Sequence, residues 1–155
     1  MDDDPAKRLR LESFLPYRLS ILSNTVSASI AASYAERFDL TIPEWRVMAI
    51  LGRHPGLSAI EVAERSLMDK VAVSRAVARL LKNGRLTRDF ADQDKRRSIL
   101  HLSDEGTEVH AQVAELALSY ERDLLDGLGA DDITALDNML DRLLARARLI
   151  GSPKT

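Results

Sequence analysis

The period of the apolar positions changes twice along the chain, and those changes divide it into elements. In "PYRLSILSNTVSASIAASYAERF" Leu19, Leu22, Val26, Ile30, Tyr34 and Phe38 recur at helical spacing, which predicts a long helix opening at Pro16. "TIPEWRVMAILGRHPG" predicts a second helix. Thr41 and Glu44 have capping-box spacing, Pro43 falls in the first turn, and His54-Pro55-Gly56 ends it. Ser58 and Glu61 repeat the box ahead of a short helix in "LSAIEVAERS". After a turn at Leu67-Met68, Asp69 is placed to cap "KVAVSRAVARLLKN", which Gly84 closes.

The period then shortens. "RLTRDF" and "RSILHL" read as short strands connected by "ADQDKR", a hairpin with a basic knot at its tip and second-strand root. Helical spacing returns in "DEGTEVHAQVAELALSYERDLLDGL", despite Gly106 in the first turn, and Gly127 and Gly129 break it. The last helix, "DDITALDNMLDRLLARARLI", gathers Ile133, Leu136, Leu140, Leu143, Leu144 and Ala147 on one side. The fold class expected is mainly α with a small β-hairpin. Two short helices around a tight turn, followed by a hairpin, describe a winged helix-turn-helix.

Composition narrows the function classes. The 155 residues fit one domain, and 45% hydrophobic with 30% charged residues argues against disorder. The chain has no cysteine, so disulfides, thiolate metal sites and thiol nucleophiles are excluded. The acidic start has no signal-peptide core and no apolar run approaches the roughly 20 residues of a membrane span, so a cytoplasmic location is expected. His54, His101 and His110 form no metal-spaced pair, and no metal or cofactor is expected. A glycine-rich phosphate loop, a nucleophile elbow and an HExxH helix are all missing from the sequence, which argues against an enzyme.

A formal net charge of -2 does not suggest a nonspecific nucleic-acid coat, so a nucleic-acid site has to come from local segregation of charge. The helix from Lys70 shows such segregation. Val73, Val77, Leu80 and Leu81 form an apolar stripe, while Val71, Arg75, Ala78, Arg79 and Lys82 lie opposite, flanked by Ser74. Small side chains allow close approach to a groove floor, and the cations reach phosphates or guanine edges, with Arg79 a candidate base reader. Lys95, Arg96 and Arg97 bring the same charge to the hairpin.

"DKVAVSRAVARLLKNGRLTRDFADQDKRRSILHLSDEG" resembles the DNA-binding segment of the multiple-antibiotic-resistance regulator (MarR) family. The wing signature is an acid, any residue and an arginine, then a strand and a Leu-Ser pair before "xxG". It stands here as Asp94-Lys95-Arg96, Leu102-Ser103 and Gly106. "RFDLTIPEWRVMAIL" is similar to the family's second helix, and the likeness runs through nearly the whole chain. The resemblance implies a homodimeric transcriptional regulator, usually a repressor, whose first helix and last two helices build the dimer. It implies one domain over residues 1–155. About 41–103 would form the winged helix-turn-helix, and 9–38 with 104–150 the dimerisation helices. Recognition helices would enter successive major grooves of a pseudo-palindromic operator. The wings would reach the flanking minor grooves, with Arg96 inserted and Asp94 shaping the wing. Leu9, Leu11, Phe14 and Leu15, with Leu140, Leu143 and Leu144, exceed what a thin winged-helix core covers, so a partner chain is expected to cover them.

Arg46 stands apart, beside Trp45 and among Ile42, Ala49 and Ile50. One reading is a snorkelled or acid-paired arginine. The other is a counter-ion for an anionic aromatic effector, with the indole as a ring wall and Tyr17, Ser23, Ser27 and His110 as further lining. Within the family, "RLSILSN…PEWRV" resembles regulators of aromatic-acid catabolism, some answering to hydroxycinnamates or their CoA thioesters. Two rival readings are an effector-independent winged-helix regulator and a winged-helix module that docks protein. The second needs an apolar recognition face.

Overall fold

The computed structural model describes residues 8–91 and 94–151, with side chains described at 8–90 and 97–151. A 3-10 turn at Leu11–Ser13 precedes helix α1 (Leu15–Phe38), α2 (Ile42–Arg53), α3 (Ala59–Ser66) and α4 (Lys70–Lys82). Strands β1 (Leu86–Ala91) and β2 (Asp94–Leu102) follow, then α5 (Asp104–Leu125) and α6 (Ala130–Gly151). This is the order the sequence predicts, mainly helical with one hairpin.

Local chemistry sets the helix starts. The Glu44 N–H donates to Thr41 Oγ1 and the Thr41 N–H to Glu44 Oε2, each at 3.3 Å. In the second box the Glu61 N–H donates to Ser58 Oγ at 3.2 Å and the Ser58 N–H to Glu61 Oε2 at 2.7 Å. Asp69 Oδ2 accepts from the Ala72 N–H at 3.0 Å. Each cap satisfies amides that a helix start leaves unpaired, and is worth about 1 kcal/mol. Helix α1 begins without a side-chain cap, on Phe14, and Pro16 in its first turn has no amide to satisfy.

The chain divides into two compact units, Met1–Ala117 and Leu118–Thr155. In the first, Tyr34 and Phe38 of α1 are buried with Val47, Met48 and Leu51 of α2, Val62 of α3 and Leu80 of α4. Leu86 and Leu100 of the strands and Val109 and Val113 of α5 complete the same core. The α1 stripe is only half used. Val26 and Ile30 are partly buried, whereas Leu19 and Leu22 are exposed. In the second unit α6 buries none of its residues: Ile133 and Leu136 are partly covered, and Leu140, Leu143 and Leu144 are exposed. Among the described residues no helix is long and apolar enough to cross a membrane.

The hairpin is antiparallel, registered Leu86↔Leu102 through Phe90↔Ser98, with an irregularity between Phe90 and Ala91 that leads to Ala91↔Asp94. The connection expected over Ala91–Arg96 is therefore shorter, because pairing continues past the irregularity and β2 opens at Asp94. A bridge ties β2 to the turn after α2. The Gly56 N–H donates to the Leu100 carbonyl at 3.0 Å, and the Leu100 N–H to the Leu57 carbonyl at 2.9 Å.

Candidate nucleic-acid interface

Helix α4 takes its rotation from what it buries. Val73, Ala76, Val77 and Leu80 are inside, and burying a Val or Leu is worth about 1.5–3 kcal/mol. Leu81, assigned by sequence to this stripe, is only partly covered, and Ala76 takes the deeper position. The opposite side exposes Lys70, Val71, Ser74, Arg75, Ala78, Arg79 and Lys82, as the wheel predicts. Beyond the N-cap Asp69 the helix carries no acid.

The cations on this face differ in what holds them. Arg79 Nη2 donates to Asp39 Oδ1 at 2.9 Å, and its Nη1 lies 3.3 Å from Glu44 Oε1. Glu44 is buried, with 2% of its surface exposed, and its other oxygen serves the α2 cap. Arg79 thus stitches α4 to the end of α1 and the start of α2, and its guanidinium is committed within the fold. Arg75, one turn earlier, has no hydrogen bond or ion pair among the described residues. The sequence singled out Arg79 as the candidate base reader, and gave no sign that Arg79 and not Arg75 is held by acids of the fold. Only the fold brings the acids at 39 and 44 beside one of them.

The wing is held in the same way. Arg97 hydrogen-bonds Glu61 Oε1, while Glu61 Oε2 caps α3. The Ser58 amide holds the Glu61 carboxyl below the ordinary glutamate value, helped by the Ser58 hydroxyl, Arg97 and Arg65 against partial desolvation. Arg97 therefore latches β2 to the first helix of the helix-turn-helix. The side chains of Asp94, Lys95 and Arg96 lie outside the described residues; their backbone belongs to β2.

The root of the wing explains two residues of the sequence signature. Ser103 donates its N–H to the Arg85 carbonyl at 3.0 Å and its hydroxyl to the Gly84 carbonyl at 2.6 Å. The same hydroxyl accepts the Gly106 N–H at 2.9 Å, capping α5. A Cβ at Gly106 would stand 2.0 Å from the Arg85 carbonyl oxygen, so only glycine admits this approach. Gly84 takes φ +73 to turn the chain out of α4.

The residues proposed from sequence as effector lining form two contacts in the first unit. Arg46 Nη2 donates to Ser27 Oγ at 3.1 Å. The Trp45 and His110 rings lie 5.5 Å apart, and Tyr34, which sequence placed only in the core, lies 6.0 Å from Trp45. Burial pushes His110 below the ordinary histidine value and Tyr34 above the ordinary tyrosine value. Gly52 makes room for the imidazole, since a Cβ there would meet His110 Nε2 at 2.4 Å. Ser23 is exposed about one turn before Ser27, and Tyr17 is exposed about 15 Å earlier along α1. Among the described residues no group of three metal-ligating side chains comes together.

Comparison with known proteins places this geometry. A family model described as "MarR family" matches residues 38–97, from the end of α1 through Arg97 of the wing. The transcriptional regulator HosA of Escherichia coli is 29% identical over 94 residues, covering 61% of this chain and 70% of that protein. The PcaV transcriptional regulator from Streptomyces coelicolor, solved in complex with its natural ligand, superposes with TM-score 0.75 at 26% identity, over 90% of this chain and 97% of that one. A MarR mutant from Escherichia coli, solved with operator DNA, has the same fold, with TM-score 0.71 at 23% identity over 82% of this chain and 91% of that one. The winged helix-turn-helix between long terminal helices, the Ser103–Gly106 wing root and these likenesses agree: residues 38–97 match the MarR family, and the chain has the fold of MarR-type transcriptional regulators.

Proposed function

We propose that the protein is a homodimeric repressor of an adjacent operon that grips a pseudo-palindromic operator and is released by a small anionic aromatic ligand. The observation that carries the DNA reading is the outer face of α4, where Lys70, Ser74, Arg75 and Lys82 stand exposed with no acid among them. Such a face approaches a polyanion closely at little desolvation cost. Arg96 enters a flanking minor groove in this reading, and Asp94 shapes the wing.

Dimerisation is supported within each unit by itself. Leu9, Leu11, Phe14, Leu15, Leu19 and Leu22 are exposed in the first, and Met139, Leu140, Leu143 and Leu144 in the second. Apolar surface of that extent on a monomer marks an interface. The effector reading is supported by Arg46 and Ser27, which place a guanidinium and a hydroxyl together, and by the Trp45–His110 pair on the same unit. It is also supported by the ligand-bound PcaV structure.

The full chain is tested by selecting duplexes from a random-sequence library and titrating the best one at several salt concentrations. Nanomolar binding to a site of two related halves is expected, with a steep salt slope, and a dimer by light scattering. Arg96→Ala is expected to weaken binding by about 1–3 kcal/mol. Asp94→Ala is expected to weaken it too, although it removes a negative charge. A monomer at micromolar concentration, or tighter binding by Asp94→Ala, overturns this picture. Arg46→Met is expected to keep operator binding and to lose release by an aromatic acid or its thioester; loss of folding instead assigns Arg46 to the structure alone.

A further inference from the structure

Among the described residues of the winged helix-turn-helix, four large apolar side chains are exposed: Ile60, Leu67, Val71 and Phe90. Two of them bracket the start of α4. Leu67 lies two residues before the N-cap Asp69, and Val71 two residues after it. They are 84% and 55% exposed. Leu67 also sits at φ +53, a left-handed backbone that leucine rarely adopts and that asparagine or glycine adopts readily. Neither the turn nor the core accounts for a leucine there, since the turn needs only the backbone conformation and the side chain is in water. An outlier of this kind points to a use for the side chain outside the fold.

The surroundings select that use. Lys70, Ser74 and Arg75 are exposed on the same stretch, and Asp69 is turned onto its own helix, where it accepts the Ala72 N–H. An apolar spot set among cations and hydroxyls matches a polyanion that carries small apolar groups. Duplex DNA offers one in the major groove, the 5-methyl group of thymine. The N-terminal residues of a recognition helix are those that reach base edges. We propose that Leu67 and Val71 are specificity-determining residues that read thymine methyl groups in each half-site. This rests on the DNA-binding reading of α4.

The test starts from the duplex that the full chain selects from a random library. Each thymine is replaced in turn by deoxyuridine, which keeps the base pair and removes only the methyl. Affinity is expected to fall about 4-fold for each methyl that is read, the equivalent of one buried methylene, with an unchanged salt slope. Leu67→Asn suits the left-handed backbone. It is expected to melt no lower than wild type, yet to bind thymine and deoxyuridine duplexes alike at the position Leu67 reads. Val71→Ser is expected to lose discrimination at a different position. Equal affinity of the wild-type chain for thymine and deoxyuridine duplexes at every position overturns the proposal while leaving DNA binding standing. If no duplex is selected at all, the DNA-binding reading falls and the proposal with it.

Discussion

Arg79 and Glu44 meet at 3.3 Å where α4 crosses the start of α2, and Glu44 is all but sealed from solvent there. A carboxylate so placed depends on its partner, because removing the cation leaves an uncompensated buried charge. Arg79→Met is expected to lower Tm. Glu44→Gln in the same chain is expected to recover part of that loss, read from a double-mutant cycle of thermal melts. Strictly additive effects would dismiss the pair as a stabilising unit.

Arg75 carries the opposite expectation. Its guanidinium has no partner among the described residues, so Arg75→Ala is expected to leave Tm within about 1 °C, by the small effect typical of surface substitutions. Its cost falls on binding, by about 1–3 kcal/mol, with relaxed preference at one operator position. Competition binding against single-base variants of the selected duplex measures this. A uniform loss across those variants would mean that Arg75 touches phosphate instead of a base.

Gly106→Ala tests the wing root. In an exposed helix interior this change stabilises by about 1 kcal/mol. Here the added Cβ meets the Arg85 carbonyl oxygen at 2.0 Å, so the sign reverses. A destabilisation of about 1–3 kcal/mol is expected in urea unfolding, from the strain of overpacking. A variant more stable than wild type contradicts the close approach.

His110 gives the chain a pH dependence with a definite sign. Burial lowers its folded pKa, so the unfolded chain binds the proton more readily than the folded one. Stability is then complete above the unfolded value of about 6.5 and declines as pH falls through the folded pKa. His110→Asn is expected to flatten that decline, seen as a Tm difference from wild type that shrinks between about pH 7 and pH 5. A difference independent of pH would mean that His110 titrates alike in both states.

Much of this was legible without coordinates because the signals are local. The capping pairs Thr41–Glu44 and Ser58–Glu61, and the Asp69 cap, are set by side chains three residues from their partners. The stripe of α4 follows from helical period: Val73, Val77 and Leu80 are buried, Leu81 packs partly covered against the core, and Ala76, which the sequence reading left out, is buried beside them. The pairings that decide what the cations do span 35 or more residues, Arg79 with Asp39 and Glu44, and Arg97 with Glu61. No periodicity encodes those. The candidate face was therefore readable as a composition, and the division of its arginines between strut and free donor was not. Leu67 was read only as part of a turn, because its left-handed backbone and exposure are properties of the fold.

Glu61 gives one oxygen to the α3 cap and the other to Arg97. A single codon therefore governs two traits, the integrity of the helix-turn-helix and the seating of the hairpin. Neither trait can drift by substitution at that position without the other. A genetic screen for altered operator choice will recover changes at position 61 as heat-sensitive alleles, and compensating changes will cluster at Ser58 and Arg97.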